Sequence, residues 1–289
     1  MKLNGKILLT GQGLHSGKNC ELLIEPYDTP EILLCSGESE LPITKFMLNG
    51  TNRGSDYIFP DGMRIRTCEH VLSALTGLNI FSGVKLTVDG GEMPALDGCA
   101  KKVCDEILAH SDKNAVEFSA LDGHAEKIFA DKSGDSEAIT ITEPVIISTD
   151  DKTRFIAAFP SDDLHITYAV EYKFIGAQII DYVHSPEKYY EEIASARTFA
   201  MKSDIDYLRS HGMAMGGSLE NAIVVSETIQ ASGGLHWPDE FVRHKVLDLL
   251  GDLASLGKSL HAHVIAMRAG HELHLKLAEK IKSLHSKGE

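Results

Sequence analysis

A helix with one polar stripe is predicted by the stretch Arg243-His244-Lys245-Val246-Leu247-Asp248-Leu249-Leu250-Gly251-Asp252. Residues four apart in a helix lie one turn apart on the same face, so His244, Asp248 and Asp252 would form a single line. An imidazole and a carboxylate at this spacing can bind one Zn²⁺ ion together. The surrounding leucines indicate that the helix packs into a core. The alternative interpretation is an ordinary surface pair of histidine and aspartate.

The rest of the chain alternates short strand-like runs with helical patterns. Apolar runs and alternation predict strands at 20–25, 31–35, 84–88, 138–142, 154–159 and 165–170. Apolar residues at helical spacing predict helices at 69–78, 100–108, 186–194, 240–256 and 271–284. Residues 110–137 are polar without a clear period, so we place a domain boundary there. The pattern indicates two similar α+β halves, an N-terminal domain over 1–118 and a C-terminal domain over 119–289.

The composition is typical of a globular protein and disfavours several other classes. Hydrophobic residues make up 43% and charged residues 24% of the 289 residues, which argues against disorder. No run approaches the roughly 18 apolar residues that span a bilayer, and the N-terminal apolar stretch is too short for a secretory signal. The net charge of −14 disfavours nonspecific binding to nucleic acid. The cysteines lack metal-site spacing and predict reduced thiols, as in a cytoplasmic protein.

A third zinc ligand is predicted in the segment Thr67-Cys68-Glu69-His70-Val71-Leu72-Ser73-Ala74-Leu75. A catalytic zinc site usually combines three protein ligands with an open position, and His244 and Asp248 supply only two. On a helix, the adjacent Glu69 and His70 would point about 100° apart. One of them can therefore bind the metal while the other reaches a water molecule. A glutamate–histidine pair without any such role is the competing interpretation.

A histidine at the start of the last predicted helix is a candidate acid. His271 follows Gly270, and a carboxylate such as Asp252 would be needed to keep it charged, because the helix dipole opposes protonation. A capping or surface role is the alternative. The spacing of the remaining histidines suggests no chemistry, and we interpret them as surface or core residues: His110, His124, His165, His184, His211, His236, His261 and His263.

A glycine-rich segment, Gly11-Gln12-Gly13-Leu14-His15-Ser16-Gly17, superficially resembles a phosphate-binding loop. The order of its glycines and the lack of a preceding βαβ pattern favour a tight turn between strands. An enzyme that uses a nicotinamide or a nucleoside triphosphate is therefore a remote alternative.

Seven motifs, taken in order, resemble the UDP-3-O-acyl-N-acetylglucosamine deacetylases, a family of zinc amidases of lipid A synthesis. The resemblance covers nearly the whole chain, although residues 110–165 match poorly. Each motif is a modest signal, and the seven in order are specific. They are Gly13-Leu14-His15-Ser16-Gly17, Glu69 to Leu75, Glu92 to Gly98, Ser195-Ala196-Arg197-Thr198-Phe199, Gly216 to Val224, Asp239 to Lys245 with its helix, and Gly270-His271.

The resemblance implies an enzyme that hydrolyses the N-acetyl group of its substrate, giving a free amine and acetate. It implies Zn²⁺ as the cofactor, with His70, His244 and Asp248 as its ligands. The other implied site residues are Glu69 as the general base, His271 as the cationic partner of the developing oxyanion, Asp252 as the residue that orients His271, and Lys245 and Thr198 near the substrate oxygens.

The resemblance also implies a fold and a substrate-binding surface. Family members have two layered α+β sandwich domains, with helices packed between the two sheets and the active site at the domain interface. An inserted βαβ element at about 201–224 would form a hydrophobic passage for the acyl chain. Residues implied for the passage are Phe199, Ile205, Gly217, Ser218 and Val224. Residues implied near the nucleotide are Arg268, Glu171 and Tyr172, although Tyr172 can equally be a core residue of a strand.

The expected partner is a small-molecule UDP-sugar that carries an acyl chain. We expect a cytoplasmic monomer with no nucleic-acid partner and at most peripheral membrane contact. Two alternatives stay open: a zinc amidase of the same scaffold that acts on a different acylated amino sugar, and a binding protein without activity. Retention of every metal and acid–base residue argues against the second alternative. Departures from the family include His274, where asparagine is frequent, and Cys99, where serine is usual.

Overall fold

The computed structural model describes residues 1–51, 54–111, 116–121, 124–129 and 138–285. The helices in these residues are α1 (Glu69–Gly77), α2 (Lys101–Ala109), α3 (Pro186–Lys188), α4 (Lys202–Ser210), α5 (Glu240–Leu253) and α6 (His271–His285). The strands are β1 (Ile7–Gln12), β2 (Asn19–Pro26), β3 (Ile32–Ser36), β4 (Ser39–Pro42), β5 (Met47–Thr51), β6 (Gly54–Ile58), β7 (Arg64–Ile65), β8 (Val84–Asp89), β9 (Val116–Leu121), β10 (His124–Phe129), β11 (Ile139–Thr140), β12 (Val145–Ser148), β13 (Phe155–Phe159), β14 (Leu164–Tyr172), β15 (Gly176–Val183), β16 (Phe199–Met201), β17 (Ile223–Val225), β18 (Ile229–Gln230) and β19 (Leu260–Met267).

The main sheet of the first half of the chain is mixed and has the strand order β1-β2-β8-β3-β4. Successive side chains of a strand point to opposite faces, and β2 follows this rule: Cys20, Leu22 and Ile24 are buried between more exposed neighbours. β8 pairs antiparallel with β2 and parallel with β3, so it lies in the middle of the sheet. This alternation gives the sheet one apolar face, which must be covered.

The second half builds a similar sheet with the order β12-β13-β19-β14-β15, and β11 also pairs with β19. In the central strand β19, Leu260, Ala262, Val264 and Ala266 are buried, whereas the residues between them are only partly covered. The sheet therefore has one face toward the core and one face toward solvent.

Helices fill the space between these apolar faces. Every residue of α1 is buried, as are most residues of α5, including the polar His244, Asp248 and Asp252. A helix that is buried all round lies inside a core. One continuous hydrophobic cluster joins residues of both sheets to α1, α5 and α6. The predicted α+β class, with layered sheets and helices, is confirmed.

Gly251 allows α1 and α5 to approach closely. A Cβ atom at this position would collide with the carbonyl oxygen of Glu69, the first residue of α1. Because glycine has no side chain, the two helix backbones can touch. The polar residues at the start of α1 are thereby brought against the polar stripe of α5.

A small βαβ unit lies beside the second sheet. Its strands β16 and β17 pair in parallel, with Phe199 opposite Ile223, and helix α4 connects them. β18 pairs antiparallel with β17 and adds a third strand to the unit. Ile223, Val225 and Phe241 form a separate apolar cluster beneath it.

The observed elements follow the predicted ones with a few differences in bounds. The helix predicted at 186–194 begins as α3 and continues as a π-helical turn over Tyr189–Ile193, and α5 ends in a 3₁₀ turn over Ala254–Leu256. The polar stretch 110–137, for which we predict no strand, contains the antiparallel pair β9 and β10. None of the helices in the described residues combines the length and the apolar character needed to cross a bilayer.

Candidate active site

Two facing helices bring the three predicted metal ligands together. His70 comes from α1, His244 and Asp248 come from α5, and their ligand atoms all lie within 4.8 Å of one another. His244 Nε2 is 3.3 Å and His70 Nε2 is 3.8 Å from Asp248 Oδ1. All three side chains are buried. We call this group the inner triad.

An unsatisfied oxygen at the inner triad fits a bound cation. Asp248 Oδ2 accepts a hydrogen bond of 2.7 Å from Lys245 Nζ, but Asp248 Oδ1 is buried without a hydrogen-bond donor among the described residues. A buried polar atom without a partner is costly and is rare in native proteins. His244 Nδ1 donates to the carbonyl oxygen of Ala196 at 3.0 Å, which leaves the Nε2 lone pair directed toward Asp248. This donor set suits a divalent metal ion.

The ionisation states suit metal binding as well. Burial and the neighbouring His244 lower the pKa of His70 to about 3, and burial lowers the pKa of His244. Burial would raise the pKa of Asp248, but His244 and Lys245 outweigh it and hold that pKa well below its usual value. Neutral imidazoles and an ionised carboxylate are the forms that bind zinc.

Glu69 and His271 face the same space as the inner triad. His271 Nε2 lies 3.9 Å from Glu69 Oε1 and 3.7 Å from Asp248 Oδ2. The backbone N–H of Ser55 donates to Glu69 Oε2 at 3.0 Å and orients the carboxylate. Burial raises the pKa of Glu69 to about 7, although the neighbouring His271 opposes the shift. A carboxylate with such a pKa can take up and release a proton near neutral pH.

Asp252 anchors His271 from below. His271 Nδ1 and His274 Nδ1 donate to Asp252 Oδ2 at 2.8 and 2.7 Å, and the Ser55 hydroxyl donates to Asp252 Oδ1. Burial would lower the pKa of His271, but Asp252 and Asp248 overcome it and raise the pKa to about 9. The Asp252 carboxylate therefore favours the charged form of His271 at the start of helix α6, where the helix dipole opposes protonation.

A cavity of about 320 Å³ opens onto these residues and continues beneath the βαβ unit. Its lining combines the polar residues of the inner triad with many apolar residues, among them Leu208, Ala214 and Ala222. Twelve of the predicted site residues line it: Glu69, His70, Thr198, Phe199, Ile205, Gly217, Ser218, Val224, His244, Lys245, Asp248 and His271. Residues from distant parts of the chain thus share one cavity.

Comparison with known proteins identifies the family. Residues 1–283 match the model of a family described as UDP-3-O-acyl N-acetylglycosamine deacetylase. The chain belongs to this family. The predicted resemblance is confirmed, and with it the prediction of a deacetylase enzyme.

Curated relatives of the family cover most of the chain. A UDP-3-O-acyl-N-acetylglucosamine deacetylase of Thermosynechococcus vestitus is 34% identical over 286 residues, which are 96% of this chain and 92% of the relative. A protein of the same name from Aquifex aeolicus is 33% identical over 279 residues, with 96% and 90% covered. The corresponding Synechocystis protein is 38% identical over 222 residues, with 76% and 74% covered.

The predicted nucleotide contacts lie outside the deacetylase cavity. The guanidinium of Arg268 is 3.9 Å from the carboxylate of Glu171, and both side chains are largely exposed. Tyr172 is half-buried, and its ring meets that of Phe199 edge to face with 5.3 Å between the ring centroids. Phe199 also lies under Lys245 Nζ at 5.4 Å from its ring centroid. Tyr172 therefore borders the site, while Arg268 and Glu171 are on the open surface.

The glycine-rich turn of this family member is held by a carboxylate of its own chain. The backbone N–H groups of His15 and Ser16 both donate to the buried Glu92 at 2.8 Å. A phosphate loop needs such N–H groups for its ligand, and here Glu92 occupies them. The structure thus agrees with a tight turn. The turn also lies close to Gly216, and its residues Leu14 and His15 line the cavity.

Sequence reasoning missed three residues beside the deacetylase site. Ser55 contacts Glu69 and Asp252, His274 contacts Asp252, and Tyr168 donates its hydroxyl hydrogen to His274 Nε2 at 2.9 Å. The spacing of His274, one turn after His271 on α6, was a usable signal. Ser55 and Tyr168 lie on strands, and no spacing in the sequence indicates their partners.

Proposed function

We propose that this chain is a Zn²⁺-dependent UDP-3-O-acyl-N-acetylglucosamine deacetylase that acts in lipid A synthesis. The observation that carries the proposal is the buried inner triad, in which Asp248 Oδ1 has no hydrogen-bond partner among the described residues. The triad lies beside Glu69 and His271 in a cavity with largely apolar walls. The family match and the names of the relatives supply the substrate.

His70, His244 and Asp248 would hold the ion. Bound there, Zn²⁺ would act as a Lewis acid that polarises the amide carbonyl and lowers the pKa of water. Two imidazoles and one carboxylate leave a fourth position open, as catalytic zinc sites require. The hydrogen bond from His244 to the Ala196 carbonyl fixes the imidazole that would bind the metal.

Glu69 is the general base in this proposal. Its ionised carboxylate accepts a proton from the water that attacks the acetamide carbon. The nearby protonated His271 and the cavity-lining Thr198 stabilise the oxyanion that forms. A proton must then reach the leaving nitrogen, and protonated Glu69 and His271 are the acids that face this space. Asp252 keeps His271 positioned and charged throughout.

Lys245 lines the cavity beside the inner triad. Its ammonium group donates to Asp248 Oδ2, and Asp248 raises the pKa of this lysine despite its burial. A lysine that remains charged here can contact the substrate oxygens from the cavity wall, as the family resemblance implies.

The apolar part of the cavity would hold the acyl chain. Phe199, Ile205, Gly217, Ser218 and Val224 all line it. Burial of each CH₂ group contributes about 0.8 kcal/mol, so a chain of several carbons adds substantially to substrate binding. Arg268 and Glu171 on the surface beside Tyr172 are our proposal for contacts to the diphosphate and uridine, with Tyr172 stacking on the base.

An assay of acetate release from the UDP-sugar tests the proposal. We expect zinc-dependent turnover that a chelator abolishes and added Zn²⁺ restores. Glu69→Gln keeps the shape of the side chain, and it should lower kcat by about 10²–10⁴-fold because general bases contribute this much. Glu69→Gln protein that retains zinc and full activity would refute the assigned base.

The matched substrate for this assay is an acylated amino sugar without the nucleotide. Faster deacetylation of that compound than of the UDP-sugar would favour the alternative amidase. The division into domains 1–118 and 119–289, the monomeric state, the cytoplasmic location and the peripheral membrane contact remain predictions. Sedimentation analysis of the purified chain and fractionation of cells would test the last three.

A further inference from the structure

A second group of two histidines and one aspartate lies on the second sheet. His165 on β14, Asp181 on β15 and His263 on β19 offer ligand atoms that lie within 4.8 Å of one another. We call this group the outer triad. The sequence pattern predicts no role for either histidine, because the three residues become neighbours only when their strands pair.

Strand pairing sets the outer triad in place. His165 and His263 are directly opposite each other on the parallel strands β14 and β19. Their rings stack with centroids 3.9 Å apart and planes only 4° from parallel. Asp181 lies on the other side of β14, where its Oδ1 is 2.7 Å from His165 Nε2. Three neighbouring strands thus present three metal-binding side chains on one face.

Both imidazoles direct the same ring nitrogen to one small region. His165 Nε2 contacts Asp181 Oδ1, and His263 Nε2 is 2.9 Å from the Thr167 hydroxyl. That hydroxyl in turn donates to Asp181 Oδ1 at 2.7 Å. The two nitrogens, the carboxylate and the hydroxyl therefore lie within one small region, with Thr167 available as an additional oxygen ligand. Because an imidazole lone pair lies in the plane of its ring, one of the stacked rings must turn before both nitrogens can bind the same ion.

The charges at the outer triad suit a cation. Hydrogen bonds from Thr167 and His165 lower the pKa of Asp181, so the carboxylate is ionised at neutral pH. Partial burial and the neighbouring His165 lower the pKa of His263, so that imidazole is neutral and can bind a metal.

We propose that the outer triad is a second binding site for a divalent transition-metal ion, separate from the catalytic centre. Two imidazoles and one carboxylate suit Zn²⁺ and Cu²⁺ better than Mg²⁺ or Ca²⁺, which prefer oxygen ligands. The neighbouring Tyr168 points to the opposite face of the sheet, where it contacts His274 below the catalytic centre. The sheet itself therefore separates the two sites.

A titration of the zinc-loaded enzyme tests the proposal. Protein that already carries one equivalent of Zn²⁺ is titrated with further Zn²⁺ and followed by calorimetry. We expect a second equivalent in the unaltered chain, and a loss of affinity of at least about tenfold in His165→Asn/His263→Asn, since even changes outside a ligand shell cost that much. Deacetylase activity of the singly loaded variant should equal that of the unaltered enzyme.

His110→Asn is the matched control. His110 also lies beside a carboxylate, with Nδ1 3.7 Å from Glu106 Oε2, but the described residues place no second histidine there. This variant should bind the second ion normally. Competition should follow the order Cu²⁺ before Zn²⁺ before Mn²⁺, as expected for a site with nitrogen ligands.

Two results would overturn the proposal. One is that the unaltered enzyme binds no second equivalent up to about 1 mM free Zn²⁺. Any affinity of the outer triad would then be far weaker than that of protein zinc sites with three ligands. The other is a second equivalent that binds equally well to His165→Asn/His263→Asn, because that ion would lie elsewhere, for example near Glu69 and His271. Melting curves of the metal-free variants show whether the outward-facing substitutions leave the fold intact.

Discussion

The inner and the outer triad contain the same kinds of side chain, two histidines and one aspartate, in different surroundings. The inner triad is buried between two helices, and one oxygen of its aspartate has no hydrogen-bond donor among the described residues. The outer triad lies on an open sheet face, and its Asp181 accepts hydrogen bonds from His165 and Thr167. The inner triad has an acid and a base beside it, whereas the described neighbours of the outer triad supply only a threonine hydroxyl.

This difference shows what converts a metal-binding group into a catalytic one. Donor atoms alone are sufficient to hold an ion. In the mechanism that we propose, catalysis also needs a desolvated position, a base with a raised pKa and a cation held by a second carboxylate. Glu69 and His271 are the candidates for the base and the cation. The following predictions test whether activity depends on these surroundings.

The largest effect is expected from removing the aspartate of each triad in turn. Asp248→Ala should abolish measurable deacetylation and release the catalytic zinc, a greater loss than the roughly 10–100-fold that changes outside a ligand shell cause. Asp181→Ala is the paired variant and should leave kcat/KM unchanged. Zinc content by mass spectrometry and acetate release measure both. Equal losses in the two variants would erase the distinction between the triads.

A smaller effect is expected from Asp252→Asn, which removes the anion below His271. Glu69 must be ionised and His271 protonated, so activity should rise with pH through the pKa of Glu69 and fall through that of His271. Without Asp252, burial dominates and the pKa of His271 decreases. The basic limb of the kcat/KM profile should therefore move to lower pH, with a loss at neutral pH of about 10–100-fold. A basic limb that stays in place would exclude His271 as the titrating group.

Access to the inner triad should depend on Gly217. A phenylalanine there would project into the apolar cavity and exclude part of a long acyl chain. We expect kcat/KM to fall about tenfold for a long-chain substrate and little for a short one, because a lost methylene contact or two costs 1–3 kcal/mol. Gly217→Ala is the control, since its Cβ would lie at an ordinary 3.4 Å from the Ala214 carbonyl oxygen. Equal losses on both substrates would contradict an acyl passage.

The smallest effect is expected from a substitution at the helix contact that brings the inner triad together. Gly251→Ala places a Cβ against the carbonyl oxygen of Glu69 and should push α1 away from α5. Overpacking of this kind costs about 1–3 kcal/mol of unfolding free energy. Zinc affinity of the inner triad should fall as well, while the outer triad keeps its affinity. Thermal unfolding and zinc titration measure the two effects, and a variant with unchanged zinc affinity would show that the helix spacing is not critical.

Much of the site was predictable because helices convert spacing into geometry. His244, Asp248 and Asp252 lie on one face of the helix wherever the helix begins and ends. Their proximity therefore did not depend on the rest of the fold. The Glu69–His70 pair and His271 were candidates from their residue types alone, but nothing local shows that α1 and α6 meet α5. The family resemblance supplied that connection. The α+β class followed from the alternation of apolar runs.

The missed features depend on contacts between distant strands and loops. Ser55 reaches Asp252 across 197 residues, and Thr167 reaches His263 across 96. Which residues of paired strands become neighbours depends on register, and a shift by one residue would move every side chain to the opposite face. Gly251 was visible in the sequence, but only the packed helices show which backbone it allows to approach.

The Ser55 hydroxyl, which donates to Asp252, also lies 3.3 Å from His271 Nδ1, and this contact has a consequence for how the protein matures. Its two residues are 216 positions apart, so the catalytic network closes a very long loop. Contacts of high sequence separation form slowly, and domains emerge from the ribosome N-terminal end first. A nascent chain folded through α5 already contains every ligand of the inner triad but not the imidazole at position 271. The complete site therefore forms only after the last helix has been synthesised.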